Sequence, residues 1–143
     1  MDKQIETMLQ GGEFKRLLEQ QSAELRQKYG MKRAELEILY YLSHCGSSNT
    51  STDIHRQLLM NRGHVSQAIN HLCEKEYIIA IPDQKDRRYV HYEIAESAKE
   101  LIVELTRRRK EIDKQILKGI SEEELEIFCN VFEKMRNNMK ELI

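Results

Sequence analysis

The fold is decided by residues 50–94, which read TSTDIHRQLLMNRGHVSQAINHLCEKEYIIAIPDQKDRRYVHYEI. Apolar residues recur every three or four positions in 51–59 and again in 64–76, which predicts two short helices joined by a turn. From Tyr77 onward the period changes to two, and β-rich runs lie on both sides of the charged segment 82–88. This order predicts two helices followed by an antiparallel β-hairpin with a charged tip.

Capping residues and buried faces refine this prediction. Thr50 and Asp53 form a capping-box pair at the start of the first helix. The side chains predicted to be buried in that helix are Ile54, Leu58 and Leu59. In the second helix the apolar spacing places four side chains inside, Val65, Ala68, Ile69 and Leu72. With strands at 77–81 and 89–94, the segment is interpreted as a winged helix-turn-helix.

Further helices are predicted on both sides of this segment. An N-terminal apolar stripe, interrupted at Gly11–Gly12 and ended by Gly30, runs through Ile5, Leu9, Leu17, Leu18, Leu25 and Tyr29. A second helix fits Arg33–Cys45. After the hairpin come two long helices, separated by Gly119 and by a capping box that starts at Ser121. The predicted class is therefore mainly α, with a small antiparallel β-hairpin.

The two C-terminal helices have roughly 20 residues each and span about 30 Å. So small a chain cannot bury such long apolar stripes, which favours a homodimer with interleaved terminal helices over a monomer whose helices fold back as an antiparallel pair. The predicted organisation is an N-terminal dimerisation helix (1–32), the winged helix-turn-helix (33–96) and C-terminal dimerisation helices (97–143).

Composition excludes several classes of protein. With 143 residues, 33% of them charged, and a single proline, the chain suits long amphipathic helices better than a β-sandwich. No run approaches the roughly 18 apolar residues that span a bilayer, and no signal-peptide core is present. We therefore expect a cytoplasmic protein without a membrane partner. The three cysteines form no CxxC motif, which favours reduced thiols.

Charge singles out the middle of the chain. The net charge is −1, yet residues 54–92 carry six lysines and arginines against four acids. In the predicted helix 64–76 the outward positions as far as residue 71 hold hydrogen-bond donors and no acid: His64, Ser66, Gln67, Asn70 and His71. Acids appear only at Glu74 and Glu76, at the end that would point away from DNA. Arg62 stands just before this helix. A solvated helix would be expected to carry acids in its first turn, where the helix dipole favours them. Their absence favours a helix that faces phosphates and base edges. The alternative is a polar surface helix whose composition arose by chance.

The hairpin tip carries the second basic feature. Asp86 stands two residues before Arg88, a spacing at which a carboxylate can hold a guanidinium in one orientation. An arginine held in this way can enter a narrow minor groove. The alternative is a solvated turn with a surface salt bridge worth less than about 1 kcal/mol.

The two regions together resemble the MarR family of bacterial regulators. The resemblance lies in Asn61-Arg62-Gly63-His64-Val65-Ser66-Gln67-Ala68-Ile69 and in Asp83-Gln84-Lys85-Asp86-Arg87-Arg88, the second of which is similar to the family's wing pattern Asp-x-x-Asp-x-Arg. Ile94-Ala95 stands where the family has Leu-Thr. The resemblance implies a homodimer on a pseudo-palindromic operator, with recognition helices in major grooves and wings in minor grooves.

The resemblance also implies a repressor released by a small aromatic or amphipathic effector. The effector crevice would be lined by Phe14, Tyr40, Tyr41 and His44, for which core packing is the alternative. The predicted DNA-binding residues are Thr52, Arg62, Gly63, His64, Ser66, Gln67, Asn70, Asp86, Arg87 and Arg88.

Other functions remain as alternatives or are not expected. A winged-helix module that binds protein without reading DNA stays open, as does a metal- or thiol-responsive regulator built on His44 and Cys45. No glycine-rich phosphate loop, HExxH or converging Ser/His/Asp set occurs, so we expect neither an enzyme nor a cofactor. One histidine and one cysteine fall short of the usual ligand count, so no metal site is expected.

Overall fold

The computed structural model describes Leu9 and residues 11–143, and its fold is mainly helical with one two-stranded antiparallel sheet. Ile5, which we placed on the N-terminal stripe, lies outside the described residues. The elements, in chain order, are α1 (Gly12–Tyr29), α2 (Arg33–Leu42), α3 (Ser51–Leu58), α4 (Arg62–Glu74), β1 (Ile78–Pro82), β2 (Val90–Ile94), a 3-10 turn (Glu96–Ala98), α5 (Lys99–Ile116) and α6 (Glu122–Glu141). The predicted fold class is confirmed.

The chain divides into two compact units, residues 19–108 and residues 1–18 with 109–143. The first unit holds the hydrophobic core, to which α2, α3 and α4 contribute the fully buried Leu36, Leu39, Ile54 and Leu72. In the second unit Ile112 is buried beside two charged residues of the same helix, Arg109 and Asp113. No helix of the described part of the chain is long and apolar enough to cross a bilayer.

Several predicted helix ends are confirmed. Thr50 Oγ1 accepts the amide of Asp53 at 3.2 Å, and the Asp53 carboxylate accepts the amide of Thr50 at 3.1 Å. Ser121 and Glu124 form the same reciprocal pair at the start of α6. Gly30 and Gly119 end their helices with φ of 62° and 81°, a conformation that costs a side-chain-bearing residue about 1 kcal/mol or more.

Other boundaries were wrong. The chain leaves α2 at Ser43 rather than at Cys45. Leu59 was expected to be buried in α3, but it adopts the left-handed conformation after the helix, with φ of 54°, and its side chain is 73% exposed. Helix α4 begins at Arg62 rather than at His64, because the Asn61 side chain caps it by accepting the amide of His64 at 2.8 Å.

The hairpin packs Ile78, the first residue of β1, on the core, and its second strand pairs with the connector that precedes α3. Its register runs from Ile78 opposite Ile94 to Pro82 opposite Val90. On the other edge of β2, the amide of Tyr92 donates to the carbonyl oxygen of Asn49 at 3.0 Å. The connector and the hairpin are therefore joined through backbone hydrogen bonds.

Candidate nucleic-acid interface

The exposed face of α4 carries four of the five side chains that the sequence placed outward. His64, Ser66, Gln67 and Asn70 are all exposed, whereas the four apolar side chains predicted to face inward are buried. No acidic side chain lies in the first turn of this helix. At the positive end of the helix dipole the face therefore presents donors and acceptors without negative charge. Its one acid, the exposed Glu74, is the last residue of the helix.

The first turn of α4 is ordered by Asn61. Besides capping the helix, its Nδ2 lies 3.1 Å from Nδ1 of His64, so the amide donates to that ring when Nδ1 is unprotonated. Arg62 and Gly63 occupy the first two helical positions, whose amides have no acceptor within the helix. These amides suit an anionic oxygen.

The last turn of α4 is anchored inside the protein by a carboxylate. Glu35 of α2 is only 2% exposed, and its Oε1 lies 3.1 Å from Nδ1 of His71 while its Oε2 lies 3.7 Å from Nζ of Lys75. His71 was placed on the outward face. It is turned instead towards Glu35 and is half-buried, so it does not belong to the exposed face.

An open groove of about 560 Å³ lies where α3 meets the start of α4. Thr52, Arg56 and Arg62 line it together with the exposed Leu59. Thr52 and Arg62, predicted from sequence to contact phosphate, are therefore close together. Arg56 was not predicted, although a basic residue one helical turn after Thr52 was a signal that could have shown it.

The hairpin tip holds Arg88 as the sequence predicted. The Asp86 carboxylate accepts Arg88 Nε at 3.0 Å and Nη2 at 2.8 Å, and its Oδ1 also accepts the Arg88 amide at 3.1 Å. These bonds from Arg88 lower the pKa of Asp86, and the carboxylate in turn raises the pKa of Arg88. The guanidinium is fixed in direction while its side chain stays 87% exposed. Arg87 beside it is also exposed.

A second hydrogen-bonded cluster, missed by the sequence analysis, supports the tip. His91 places Nδ1 at 2.6 Å from Oδ1 of Asn49 and Nε2 at 2.8 Å from Oδ1 of Asp83. The bond from His91 is the main cause that lowers the pKa of Asp83. Asp83 could have been noticed as the first residue of the wing pattern, but no local signal joins Asn49 to a histidine 42 positions later.

Three of the predicted effector residues lie together, because the His44 ring packs edge-to-face on both Tyr40 and Tyr41. Tyr40 and His44 form an edge-to-face pair with ring centroids 4.7 Å apart. Tyr41 is buried, its hydroxyl donates to the carbonyl oxygen of Ser48 at 2.6 Å, and burial raises its pKa to about 12. Phe14 is half-buried on α1, in the unit of residues 1–18 and 109–143.

The three cysteines are half-buried and none forms a disulfide. Burial raises the pKa of Cys73, which keeps its thiol protonated. Within residues 11–143 and Leu9, no three His, Cys, Asp or Glu side chains are grouped so that they could hold a metal ion.

Comparisons with known proteins agree with this geometry. Residues 31–98 match the family model of a winged helix DNA-binding domain. Among solved structures, the chain is similar to MepR of S. aureus in complex with DNA (22% identity, 87% of this chain and 92% of that one, TM-score 0.68). It is also similar to FabT of Streptococcus pneumoniae in complex with DNA (21% identity, 99% of this chain and 100% of that one, TM-score 0.67). A third similar structure is a MarR protein from Peptoclostridium difficile (14% identity, 99% of this chain and 90% of that one, TM-score 0.73). A comparison with curated protein sequences gives no significant match.

Proposed function

We propose that this chain, which carries a winged helix domain at residues 31–98 and shares its fold with MarR-type transcriptional regulators, is a regulator that binds duplex DNA. One observation carries the proposal. The first turn of α4 carries no acid and is held by the Asn61 cap, and the Asp86 carboxylate holds the outward guanidinium of Arg88 through hydrogen bonds within the protein. Such preorganisation lowers the entropic cost of binding.

Each part of the domain contacts a different part of the duplex. Helix α4 enters the major groove, where His64, Ser66, Gln67 and Asn70 read base edges. Thr52, Arg62 and Arg87 contact phosphates, and Arg88 enters the flanking minor groove. Glu35 anchors the far end of α4 through His71, so the reading face keeps one orientation.

The regulator is a homodimer. Helix α6 exposes apolar side chains along one stripe, among them Phe128, Val131, Met135 and Met139. A contiguous exposed stripe of this kind marks an interface, and a second copy offers an identical stripe. Two copies related by a two-fold axis present two α4 helices to a pseudo-palindromic operator.

The regulator acts as a ligand-responsive repressor. The edge-to-face pair of Tyr40 and His44 offers aromatic and polar contacts suited to a small aromatic or amphipathic effector, with Phe14 and Tyr41 as the further candidates. An effector that binds better to the conformation unfit for DNA would release the operator.

Titration with genomic fragments and with random duplex tests the proposal. We expect salt-dependent binding to both, tighter for selected fragments. Arg88→Ala should weaken operator binding by roughly 1–3 kcal/mol at 150 mM salt, whereas Arg107→Ala, an exposed arginine on α5, should leave it unchanged. Absence of any complex with random duplex at low ionic strength would refute DNA binding and favour a protein-interaction module.

A further inference from the structure

We infer that His91 is a positioning residue of the wing, the segment 82–90, because its ring ties that segment to the connector before α3 and thereby sets the direction of Arg88. The role of His91 in DNA binding rests on the proposed function, but its contacts with Asn49 and Asp83 do not depend on that function. The ring nitrogens of His91 contact Asn49 and Asp83, neither of which is a predicted DNA-binding residue, so His91 acts through the residues that it holds.

The first contact of the His91 ring is with a buried residue, Asn49. Asn49 is 8% exposed and directly precedes Thr50, the cap of α3. Its carbonyl oxygen accepts the amide of Tyr92, and its side-chain oxygen lies 2.6 Å from Nδ1 of His91. Asn49 leads directly into α3. It holds His91 at Nδ1 in one of two ways: Oδ1 accepts from a doubly protonated ring, or, with the amide turned, Nδ2 donates to an unprotonated Nδ1.

The other ring nitrogen reaches the wing. Nε2 of His91 donates to Oδ1 of Asp83 at 2.8 Å. The second oxygen of Asp83 accepts the amides of Lys85 at 3.0 Å and Asp86 at 2.9 Å. The Asp86 carboxylate in turn accepts hydrogen bonds from the Arg88 guanidinium. A continuous series of contacts therefore connects the buried connector to the exposed guanidinium.

Packing cannot replace these bonds. The wing tip carries charged side chains that are exposed at Lys85, Arg87 and Arg88, and the nearby Tyr89 is 53% exposed. A tip without buried apolar side chains opens locally at little cost unless hydrogen bonds hold it. Loss of the His91 ring would therefore loosen the tip and add an ordering cost to each binding event.

The first experiment needs no DNA. Amide hydrogen exchange at Lys85 and Asp86 is compared in the parent, in His91→Leu, in His91→Gln and in Tyr92→Phe. We expect His91→Leu to speed exchange at both amides by at least about fivefold. Glutamine, which can still donate to Asp83, should restore part of the protection, and Tyr92→Phe should match the parent. Parent-like exchange in His91→Leu would overturn the inference.

The second experiment measures operator affinity in a double-mutant cycle with Arg88→Ala. His91→Leu should weaken binding about tenfold in the parent and cause little further loss in the Arg88→Ala background, with His91→Gln intermediate. Fully additive losses would show that His91 does not act through Arg88 and would overturn that part of the inference. If the parent binds no duplex, the proposed function fails while hydrogen exchange still decides whether His91 holds the tip.

Discussion

The polar side chains on the exposed face of α4 differ in the base edges that they can read. Gln67 and Asn70 lie one turn apart on the same exposed face. Each carries an amide that can both donate and accept, the pattern that matches N6 and N7 of adenine in the major groove. Between Gly63 and Glu74 the helix has no arginine or lysine, the residues that most often read guanine.

We therefore expect α4 to select adenines. Gln67→Ala and Asn70→Ala should each relax the preference at one base pair and cost about 1–3 kcal/mol on the best operator, measured by selection from random duplexes followed by competition binding. Arg87→Ala is the matched control, since loss of a phosphate contact should weaken all sequences alike. Selected sites that keep their base preference in both alanine variants would contradict this reading.

The wing carboxylates have a distinct pH dependence. The hydrogen bond from His91 lowers the pKa of Asp83, and the hydrogen bonds from Arg88 lower the pKa of Asp86. A carboxylate with a lowered folded-state pKa contributes stability above its unfolded pKa of about 3.9, and this contribution is lost as the pH falls through the folded value. Order in the wing should therefore persist at pH 5 and be lost below about pH 4.

Carboxyl carbon chemical shifts, followed by NMR through the acid range, check this expectation. Asp83 and Asp86 should titrate below the range of an exposed aspartate. In His91→Leu the midpoint of Asp83 should rise, and in Arg88→Ala the midpoint of Asp86 should rise. Midpoints that do not respond to loss of these partners would show that the two bonds are absent in solution.

At the level of the elements, local signals predicted what depends on neighbours in sequence. Thr50, Ser121 and Gly119 each specify a helix end through residues within one turn, and all three ends were predicted correctly. Asn61 was an equally local signal for the start of α4 and was overlooked. His71 could not be placed correctly, because its partner Glu35 lies 36 positions earlier and only the folded core brings the two together. The cluster of Asn49, Asp83 and His91 was hidden for the same reason.

Two turns hold side chains in a conformation that favours glycine. Leu59 has φ of 54° and Glu76 has φ of 60°, and both side chains are exposed. The left-handed conformation costs such a residue roughly 1–2 kcal/mol, while glycine adds entropy to the unfolded chain that offsets part of the gain. Glycine should therefore be favoured at both positions.

Leu59→Gly and Glu76→Gly should each stabilise the fold by roughly 0.5–1 kcal/mol, measured by urea unfolding with an unchanged m-value. Leu59→Ala is the matched control, because it removes the same exposed side chain but keeps the β carbon that strains the backbone. The alanine variant should not gain stability. A larger gain with alanine than with glycine would mean that exposure of the leucine, rather than its backbone, is unfavourable.

For the whole molecule, exposed apolar surface is concentrated at one end of the sequence. Among the described residues, eight of the thirteen exposed large apolar side chains lie in residues 120–143. Scattered single exposures are ordinary, but a contiguous set requires a partner surface. Since α6 carries most of this set on one stripe, the proposed pairing between copies of the chain would cover the surface and would supply the two-fold symmetry that a palindromic operator needs.

A charge placed on that stripe tests the pairing. Met135→Glu should convert the dimer to a monomer in sedimentation experiments, because an unpaired buried charge costs several kcal/mol and the symmetric interface contains it twice. Asn137→Glu adds the same charge to an exposed position on the opposite side of α6 and should leave the dimer intact, with equal helicity in both variants.

Removal of residues 121–143 should likewise give a monomer. Each monomer should bind its operator at least about 100-fold more weakly, since it offers one α4 helix instead of two. A truncated chain or a Met135→Glu variant that still sediments as a dimer would place the interface elsewhere and leave the exposed stripe of α6 without a function.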